Sequence, residues 1–313
     1  MTCHICRITC KRFGKHRNGL QRFRCKQCCR TFTEDHTRLL GDMRLPQDKA
    51  ENVLRLLLEG MSVRSAERVT GVHRDTILRL LVRSGQRCRG LLLKNIEQVP
   101  VKDVEVDEIW GFVQKKQGHI HRGESADGIG DAWCFVAMER SMKLVLAWQV
   151  SKRGRADVDR FLGKLRYAAA SSQPYQLTTD GYHQYARAIT AGLQNRASYA
   201  QLIKVYGTPR DGEQRYSPAE VISVEAVPVM GNPDPARICT SHVERQNLSI
   251  RMGMRRMTRL TNAFSKKWEN LEAAYALWFA FYNFCRVHKT LRITPAMESG
   301  LTDHVWEVNE LLA

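Results

Sequence analysis

Three acidic residues, far apart in the chain, each lie in a short segment whose composition suits a metal ligand. Asp107 lies in Val-Asp-Glu-Ile-Trp, Asp180 in Thr-Thr-Asp-Gly-Tyr, and Glu244 in Ser-His-Val-Glu-Arg-Gln-Asn. Carboxylate oxygens are the ligands that Mg2+ prefers, and two ions about 4 Å apart can activate an attacking oxygen and stabilise a leaving one. If the three side chains converge, the sequence predicts a two-metal site for phosphoryl transfer.

The first acidic segment is typical of a strand with one apolar face. Alternation along residues 104–110 places Asp107 on the same face as Glu105 and Ile109. A carboxylate on an apolar strand needs a hydrogen-bond partner or a metal, so a purely solvated role is disfavoured for Asp107. Glu105 and Glu108 compete with it as ligands, and we rank both below Asp107.

The elements that must position these residues form an α/β sheet of mixed strand order. Strands are expected at residues 101–113, 132–139, 143–150, 175–179 and 201–206, with a helix at 156–170. Asp107 then lies inside the first strand and Asp180 at the carboxyl end of the fourth, where it could also simply cap the next helix. If the two strands are neighbours, the carboxylates lie side by side. A helix beginning near Thr240 would supply Glu244 from the sheet edge.

The amino-terminal cysteines have the spacing of a four-cysteine zinc site. Cys3-x-x-Cys6 and Cys25-x-x-Cys28 are separated by eighteen residues, and each pair can chelate through one tight turn. Four thiolates complete a tetrahedron around Zn2+ and leave no open position, so the predicted zinc is structural. Cys29 could replace its neighbour Cys28 as a ligand, although we favour Cys28.

Three amphipathic helices follow the cysteine segment. One is expected at residues 47–59, a short second one begins after Ser62, and a third runs from about Arg74 to Arg83. Small residues in the turn before a basic third helix are typical of a helix-turn-helix, whose last helix enters the DNA major groove. The alternative is an ordinary helical bundle with a solvated charged face. Residues 84–100 are interpreted as the connection to the next domain.

The composition indicates a polyanionic partner. The chain of 313 residues carries 49 Lys+Arg against 32 Asp+Glu, a net charge of +17, and its first 100 residues contribute +12 of this excess. Neither a signal peptide nor a transmembrane segment is evident, so a cytoplasmic, nucleoid-associated protein is expected. In that compartment the ten cysteines are better interpreted as metal ligands or buried thiols than as disulfides.

These features together resemble bacterial transposases of the Asp-Asp-Glu class, which have a ribonuclease H-like catalytic core, and among them most closely the insertion sequence 1 family. The resemblance covers nearly the whole chain. It rests on the four cysteines, the helices at about 47–83, Asp107-Glu-Ile-Trp110, Thr179-Asp180-Gly181, His242-Val-Glu244-Arg-Gln-Asn247 and the basic run Arg251-Met-Gly-Met-Arg-Arg256. The segment from Tyr282-Asn283 to Thr294-Pro295 also looks like the tail of many such enzymes.

The resemblance implies a multidomain α+β chain. Its parts would be a zinc ribbon at 1–40, a helix-turn-helix at 45–95, the ribonuclease H-like α/β core at 100–260 and a helical carboxy-terminal region at 261–313. Residues 207–238 hold five of the nine prolines and differ from the compact core pattern. They are therefore interpreted as an insertion loop near the active site.

The resemblance also implies metal-dependent cleavage and joining of DNA at the ends of a mobile element. Asp107, Asp180 and Glu244 would hold two Mg2+ ions, while His242 and Asn247 could contact DNA or support the metal ligands. Double-stranded DNA would be contacted by basic residues of the ribbon, of the third helix and of the segment after Glu244, namely Arg22, Arg24, His73, Arg74, Arg79, Arg83, Arg251, Arg255, Arg256 and Arg259. A homodimer or larger assembly is expected, because two element ends must be held together.

Two other functions fit the same sequence. One is a DNA-binding regulator, in which the ribbon and helix-turn-helix act and the remainder serves oligomerisation or ligand binding. The other is a ribonuclease H-like nuclease or junction resolvase that cleaves DNA without joining it. Metal-dependent nicking separates the first from a transposase, and strand-transfer products separate the second.

Overall fold

The computed structural model describes residues 1–312 except 17–18, 36–39, 42, 171 and 208–219. The amino-terminal part forms a three-stranded antiparallel sheet in the order β1 (Lys11–Lys15), β2 (Gln21–Arg24) and β3 (Thr31–Thr33). Its small core consists of buried Cys3, Cys10 and Cys25 with Phe23 and Phe32 packed beside them. Because so few apolar side chains are buried there, this sheet depends on what the cysteines hold.

Three helices follow at the predicted places. They are α1 (Gln47–Leu58), α2 (Val63–Thr70) and α3 (Arg74–Asn95). The Ser62 hydroxyl accepts the Ser65 N–H at the start of α2, and Gly71 ends α2 with a left-handed φ of 68° that glycine adopts without strain. The predicted connection at 84–100 is different in the structure, because α3 continues without a break to Asn95.

A six-stranded sheet forms the centre of the molecule. Its strands are β4 (Asp103–Val113), β5 (Gly130–Glu139), β6 (Val145–Ser151), β7 (Tyr175–Thr179), β8 (Ala197–Tyr206) and β9 (Val221–Met230). The order across the sheet is β6-β5-β4-β7-β8-β9, with β4, β7 and β8 parallel and the other pairs antiparallel. This mixed sheet fits the ribonuclease H-like core that the resemblance implies.

The interpretation of residues 207–238 as a loop was wrong for part of that segment. Residues 221–230 form β9, which pairs antiparallel with β8 and places Pro228 opposite Ala200. Proline is tolerated there because β9 is an edge strand with no further neighbour in the sheet. Residues 208–219 of the predicted insertion lie outside the described part of the chain.

Helices cover both faces of the sheet. On one face, Phe135 of β5 contacts Phe161 of α4 (Arg155–Ala168) and Tyr185 of α5 (His183–Leu193). On the other face lie α6 (Ser241–Gly253) and α7 (Trp268–Ala280), and Trp148 of β6 packs against the α7 rings of Tyr275 and Phe279. The sheet is thus the middle layer of three.

The carboxy-terminal region closes the outer side of the sheet and the end of α3. After α7 come a single π-helical turn at Phe281–Cys285 and the short α8 (Pro295–Glu298). The fully buried Asn283 side chain accepts the Val145 N–H at 3.1 Å and donates to the Val145 carbonyl at 2.9 Å, so it pairs with the free edge of β6. Within the described residues, no helix is both long and apolar enough to span a membrane.

Candidate active site

The sheet register brings Asp107 and Asp180 together. β4 and β7 run parallel with Val106 opposite Thr179, and the next residue on each side is one of the two acidic residues. β7 ends at this point while β4 continues, so both carboxylates lie at the carboxyl end of a parallel strand pair. That is the edge at which open α/β sheets bind ligands.

Asp107 is held by two hydrogen bonds yet remains in unfavourable surroundings for a charge. Its Oδ1 accepts the Glu108 N–H at 2.8 Å and its Oδ2 accepts the Asn247 amide at 2.8 Å. Burial and the neighbouring Asp180 nevertheless raise the pKa of Asp107 to about 7. Burial likewise raises the pKa of Asp180, although the Tyr182 N–H donates to Asp180 Oδ1 at 3.0 Å.

Glu108 joins these two residues, although the sequence ranked it below Asp107. Oxygens of Asp107, Glu108 and Asp180 lie within 4.8 Å of one another, a grouping found among the residues that the structure describes. Glu108 leaves the opposite face of β4, where Arg153 Nη2 donates to its Oε2 at 3.2 Å. Burial and Asp180 raise the pKa of Glu108 to about 7 despite that cation.

Glu244 lies on α6 and lines the same cleft. Its Oε1 accepts the Thr240 hydroxyl at 2.6 Å and is also paired with the Lys204 ammonium group from β8. Because Lys204 already neutralises it, Glu244 stands beside the group of three carboxylates without being part of it. Sequence reasoning did not single out Lys204, which lies in an exposed part of an edge hairpin and has no neighbouring motif.

Glu105 has a positioning role. Its buried carboxylate accepts the backbone N–H groups of His242 and Val243, at 2.9 and 3.0 Å, and contacts His242 Nδ1 at 2.8 Å. A carboxylate at a helix amino terminus satisfies N–H groups that have no intrahelical partner and interacts favourably with the helix dipole. Glu105 therefore fixes α6, and with it Glu244 and Asn247, relative to β4.

These residues surround an open cleft of about 600 Å³. Its walls combine the acidic residues with two cations and the loop after Asp180: Asp107, Arg153, Asp180, Gly181, Tyr182, His183, Leu202, Ile203, Lys204, Tyr206, Thr240 and Glu244. The three carboxylates with raised pKa values form a donor set that fits hard divalent cations, since a bound cation would relieve their mutual repulsion.

The four predicted cysteine ligands also converge. The Sγ atoms of Cys3, Cys6, Cys25 and Cys28 lie within 4.8 Å of one another, whereas Cys29 is exposed and outside the group. The backbone N–H of the fourth residue in each pair points at the first sulfur, Cys6 at Cys3 and Cys28 at Cys25, at 3.4 and 3.5 Å. The Cys28 N–H is the main reason that the pKa of Cys25 falls to about 6. The donor set fits a tetrahedral metal ion.

The residues predicted to contact DNA are placed in two ways. His73, Arg74 and Arg79 at the start of α3 are exposed, and so is Arg255 after α6. Arg22 and Arg24 lie on β2 with their guanidinium groups 5.4 and 5.2 Å from the Phe13 ring centroid. These six side chains stay candidates for DNA contact.

Three other predicted contacts are directed at the protein itself. Arg83 is half-buried, with its guanidinium group lying over the backbone of Gly41. Arg251 donates to the carbonyls of Met257 and Trp110, and Arg256 donates to the Ser265 hydroxyl and the Asn270 carbonyl. Their hydrogen bonds tie the basic segment to the core, which sequence patterning could not distinguish from exposure to DNA.

The comparisons with known proteins concern structure alone. No protein-family model and no curated protein matches the sequence. Solved structures with a similar arrangement include a piggyBac transposase synaptic complex with hairpin DNA, at a TM-score of 0.40 and 10% identity over 89% of this chain and 71% of that chain.

Two further similar structures are a simian T-cell lymphotropic virus intasome and a Mos1 strand transfer complex. The intasome chain matches at a TM-score of 0.35 and 11% identity, over 79% of this chain and 74% of that one. The Mos1 chain matches at 0.23 and 15%, over 53% of this chain and 60% of that one, so less than two thirds of Mos1 is covered. What this protein does is therefore argued from its cleft.

Proposed function

We propose that this protein is a DNA transposase of the Asp-Asp-Glu class, which cleaves DNA at the ends of a mobile element and joins them to target DNA. The observation that carries the proposal is the convergence of Asp107, Glu108 and Asp180 at the end of β4 and β7, with Glu244 facing them across an open cleft. Within that class, membership of the insertion sequence 1 family stays a prediction from the motifs.

The cleft is suited to phosphoryl transfer in two steps. In the first, a water oxygen bonds to phosphorus and the bond from phosphorus to the 3′ oxygen breaks, which leaves a 3′-hydroxyl and a 5′-phosphate. In the second, that hydroxyl attacks a phosphodiester of target DNA. Two Mg2+ ions, when bound, would neutralise charge on the attacking and leaving oxygens. Asp107 and Asp180 would hold them, and Glu244 would complete the second site after leaving Lys204.

The remainder of the chain would bind the DNA. The exposed cations His73, Arg74 and Arg79 lie at the amino end of α3, the end that a recognition helix presents to the major groove. The ribbon with Arg22 and Arg24, held together by Zn2+ on its four thiolates, would contact the adjoining backbone. We propose that two or more copies hold the inverted repeats together and that the protein is found with the nucleoid.

Cleavage of end-containing DNA tests the proposal. The substrate is a duplex carrying the sequence that flanks the coding region, and products are separated on denaturing gels with Mg2+, Mn2+ or EDTA. We expect nicking and strand-transfer products with either metal and none with EDTA. Asp107→Asn, Asp180→Asn and Glu244→Gln should each abolish both products and leave DNA binding intact.

Each alternative function has its own outcome in that experiment. Binding without nicking in any divalent metal would identify a DNA-binding regulator. Nicking without joined products would identify a nuclease. Full activity in one of the three carboxamide variants would remove that residue from the proposed metal site, and Glu108→Gln then tests whether Glu108 takes its place.

A further inference from the structure

Arg153 is held in an aromatic clamp at the wall of the cleft. Its guanidinium carbon lies 4.3 Å from the Trp133 ring centroid and 3.9 Å from the Tyr182 ring centroid. The Tyr182 hydroxyl also donates to the Arg153 carbonyl at 2.7 Å, which ties the loop after Asp180 to the segment after β6. Cation–π stacking on both faces fixes the plane of the guanidinium group while leaving its edge available for hydrogen bonds.

The hydrogen bonds of Arg153 are only partly used inside the protein. Nη2 donates to Glu108 Oε2, and Nε is buried without a hydrogen-bond partner among the residues that the structure describes. A buried donor without an acceptor is costly, so its presence beside a cleft indicates an acceptor that arrives with a ligand. Arg153 lines the same cleft as Asp107 and Asp180.

The nearby acidic groups decide which ligand chemistry fits. A substrate phosphodiester is negatively charged and must approach three carboxylates, so it needs a fixed positive group at that place in addition to bound cations. Lys204 is the other cation in the cleft wall, and it is engaged by Glu244. Arginine presents a planar set of donors that matches two oxygens of a phosphate, and pre-orientation reduces the entropy lost on binding.

We propose that Arg153 donates hydrogen bonds to a non-bridging oxygen of the scissile phosphodiester and stabilises the charge that develops there during transfer. This inference rests on the proposed function, since it assigns a substrate contact within the same cleft. Arg153 would then have two roles, because the Nη2 that holds Glu108 also sets the position of the guanidinium edge. Trp133 and Tyr182 are positioning residues that act through Arg153.

The test compares stereoisomers of a phosphorothioate at the scissile position. Sulfur in place of the oxygen that Arg153 contacts weakens the hydrogen bond, so one stereoisomer should slow the wild-type protein about 10- to 100-fold, the range expected for a hydrogen bond to a charged group. Arg153→Gln should lower kcat on the normal substrate by a similar factor with unchanged DNA affinity. It should also cleave that stereoisomer as fast as the oxygen substrate in Mg2+.

Two further variants keep the test decisive. Arg153→Lys retains a cation opposite Glu108 and should fold, but it lacks the planar group, so it should lose most of the preference between stereoisomers. Arg155→Gln is the matched control, because Arg155 is exposed on α4 and pairs with Asp159. It should behave like the wild type in every assay.

The possible failures are distinguishable. If the wild-type protein does not nick in any divalent metal, the proposed function fails and the assignment of Arg153 fails with it. If the wild type nicks but both Arg153 variants, folded by circular dichroism, keep its rate and its stereoisomer preference, only the assignment is overturned. A lower rate with the wild-type preference would show that Arg153 merely neutralises Glu108, and it would overturn the phosphate contact.

Discussion

Asp107 illustrates how the cleft opposes the stability of the protein. Two hydrogen bonds favour its charged form, but burial and the nearby Asp180 outweigh them and raise its pKa to about 7. The folded protein therefore binds a proton on Asp107 more tightly than the unfolded chain, in which the pKa is about 4. The resulting contribution to stability is fully present below about pH 4 and is lost as the pH rises through about 7.

Replacing this carboxylate should stabilise the metal-free protein. A carboxamide at this position carries no charge, and rotation of the Asn247 amide would let its Oδ1, now buried without a partner among the described residues, accept the new N–H. We expect Asp107→Asn to raise the Tm in EDTA at pH 8, with a difference that shrinks towards pH 5. Mg2+ should raise the Tm of the wild type but not of the variant. An equal or lower Tm at pH 8 would contradict the assigned pKa.

At the level of single residues, sequence patterning identified Asp107 and Asp180 because each is an acidic residue in an apolar strand context. It could not predict the role of Glu105, since a carboxylate that binds the start of α6 looks the same in sequence as one that binds a metal. Lys204 and Arg153 were also missed. Their importance depends on contacts with Glu244 and Glu108, which are 40 and 45 residues away in the chain.

Among the elements, α3 shows how one helix connects two parts of the chain. Its first turns carry the predicted recognition face, and further along it packs on α7, where Gly85 lies against Ala273. A Cβ on Gly85 would lie 2.5 Å from the Ala273 backbone, so this close helix contact requires glycine. Gly90 on the same helix has no heavy atom within 4 Å of its Cβ position.

These two glycines predict opposite effects of the same substitution. Gly85→Ala should destabilise the protein by about 1–3 kcal/mol, because the helices must separate to make room. Gly90→Ala should stabilise it by about 0.5–1 kcal/mol, because alanine loses less backbone entropy in a helix. Urea unfolding measures both changes. Loss of stability in both variants would show that α3 does not extend as one helix through Gly90.

Strong periodicity explains which elements were predictable. The first two helices and β7 were placed to within a residue or two, because their apolar spacing is regular and turn residues bound them. The length of α3 was underestimated, since its second half is buried by α7 and loses the amphipathic pattern. Strand β9 was missed because prolines suggested a loop, and only its place at the sheet edge makes Pro228 compatible with a strand.

Across the whole molecule, the basic amino-terminal part and the acidic cleft divide the task of handling DNA. Cys25→Ser should release the bound zinc and unfold the ribbon, removing Arg22 and Arg24 from the DNA. The plot of log affinity against log salt should then lose a slope of about 2, one for each phosphate contact. Cys29→Ser is the matched control and should keep both zinc and slope. Zinc content and titrations at several salt concentrations measure the effect, and an unchanged slope in Cys25→Ser would exclude the ribbon from the interface.

The uninterrupted α3 has one further consequence for how a cut site would be chosen. A helix of 22 residues is about 33 Å long, and this one begins at the proposed recognition face and ends against the sheet that carries the cleft. It would act as a ruler that sets the separation between the bases recognised and the bond broken. One base pair inserted between them should therefore leave the cut at the same distance, one nucleotide away from its original sequence.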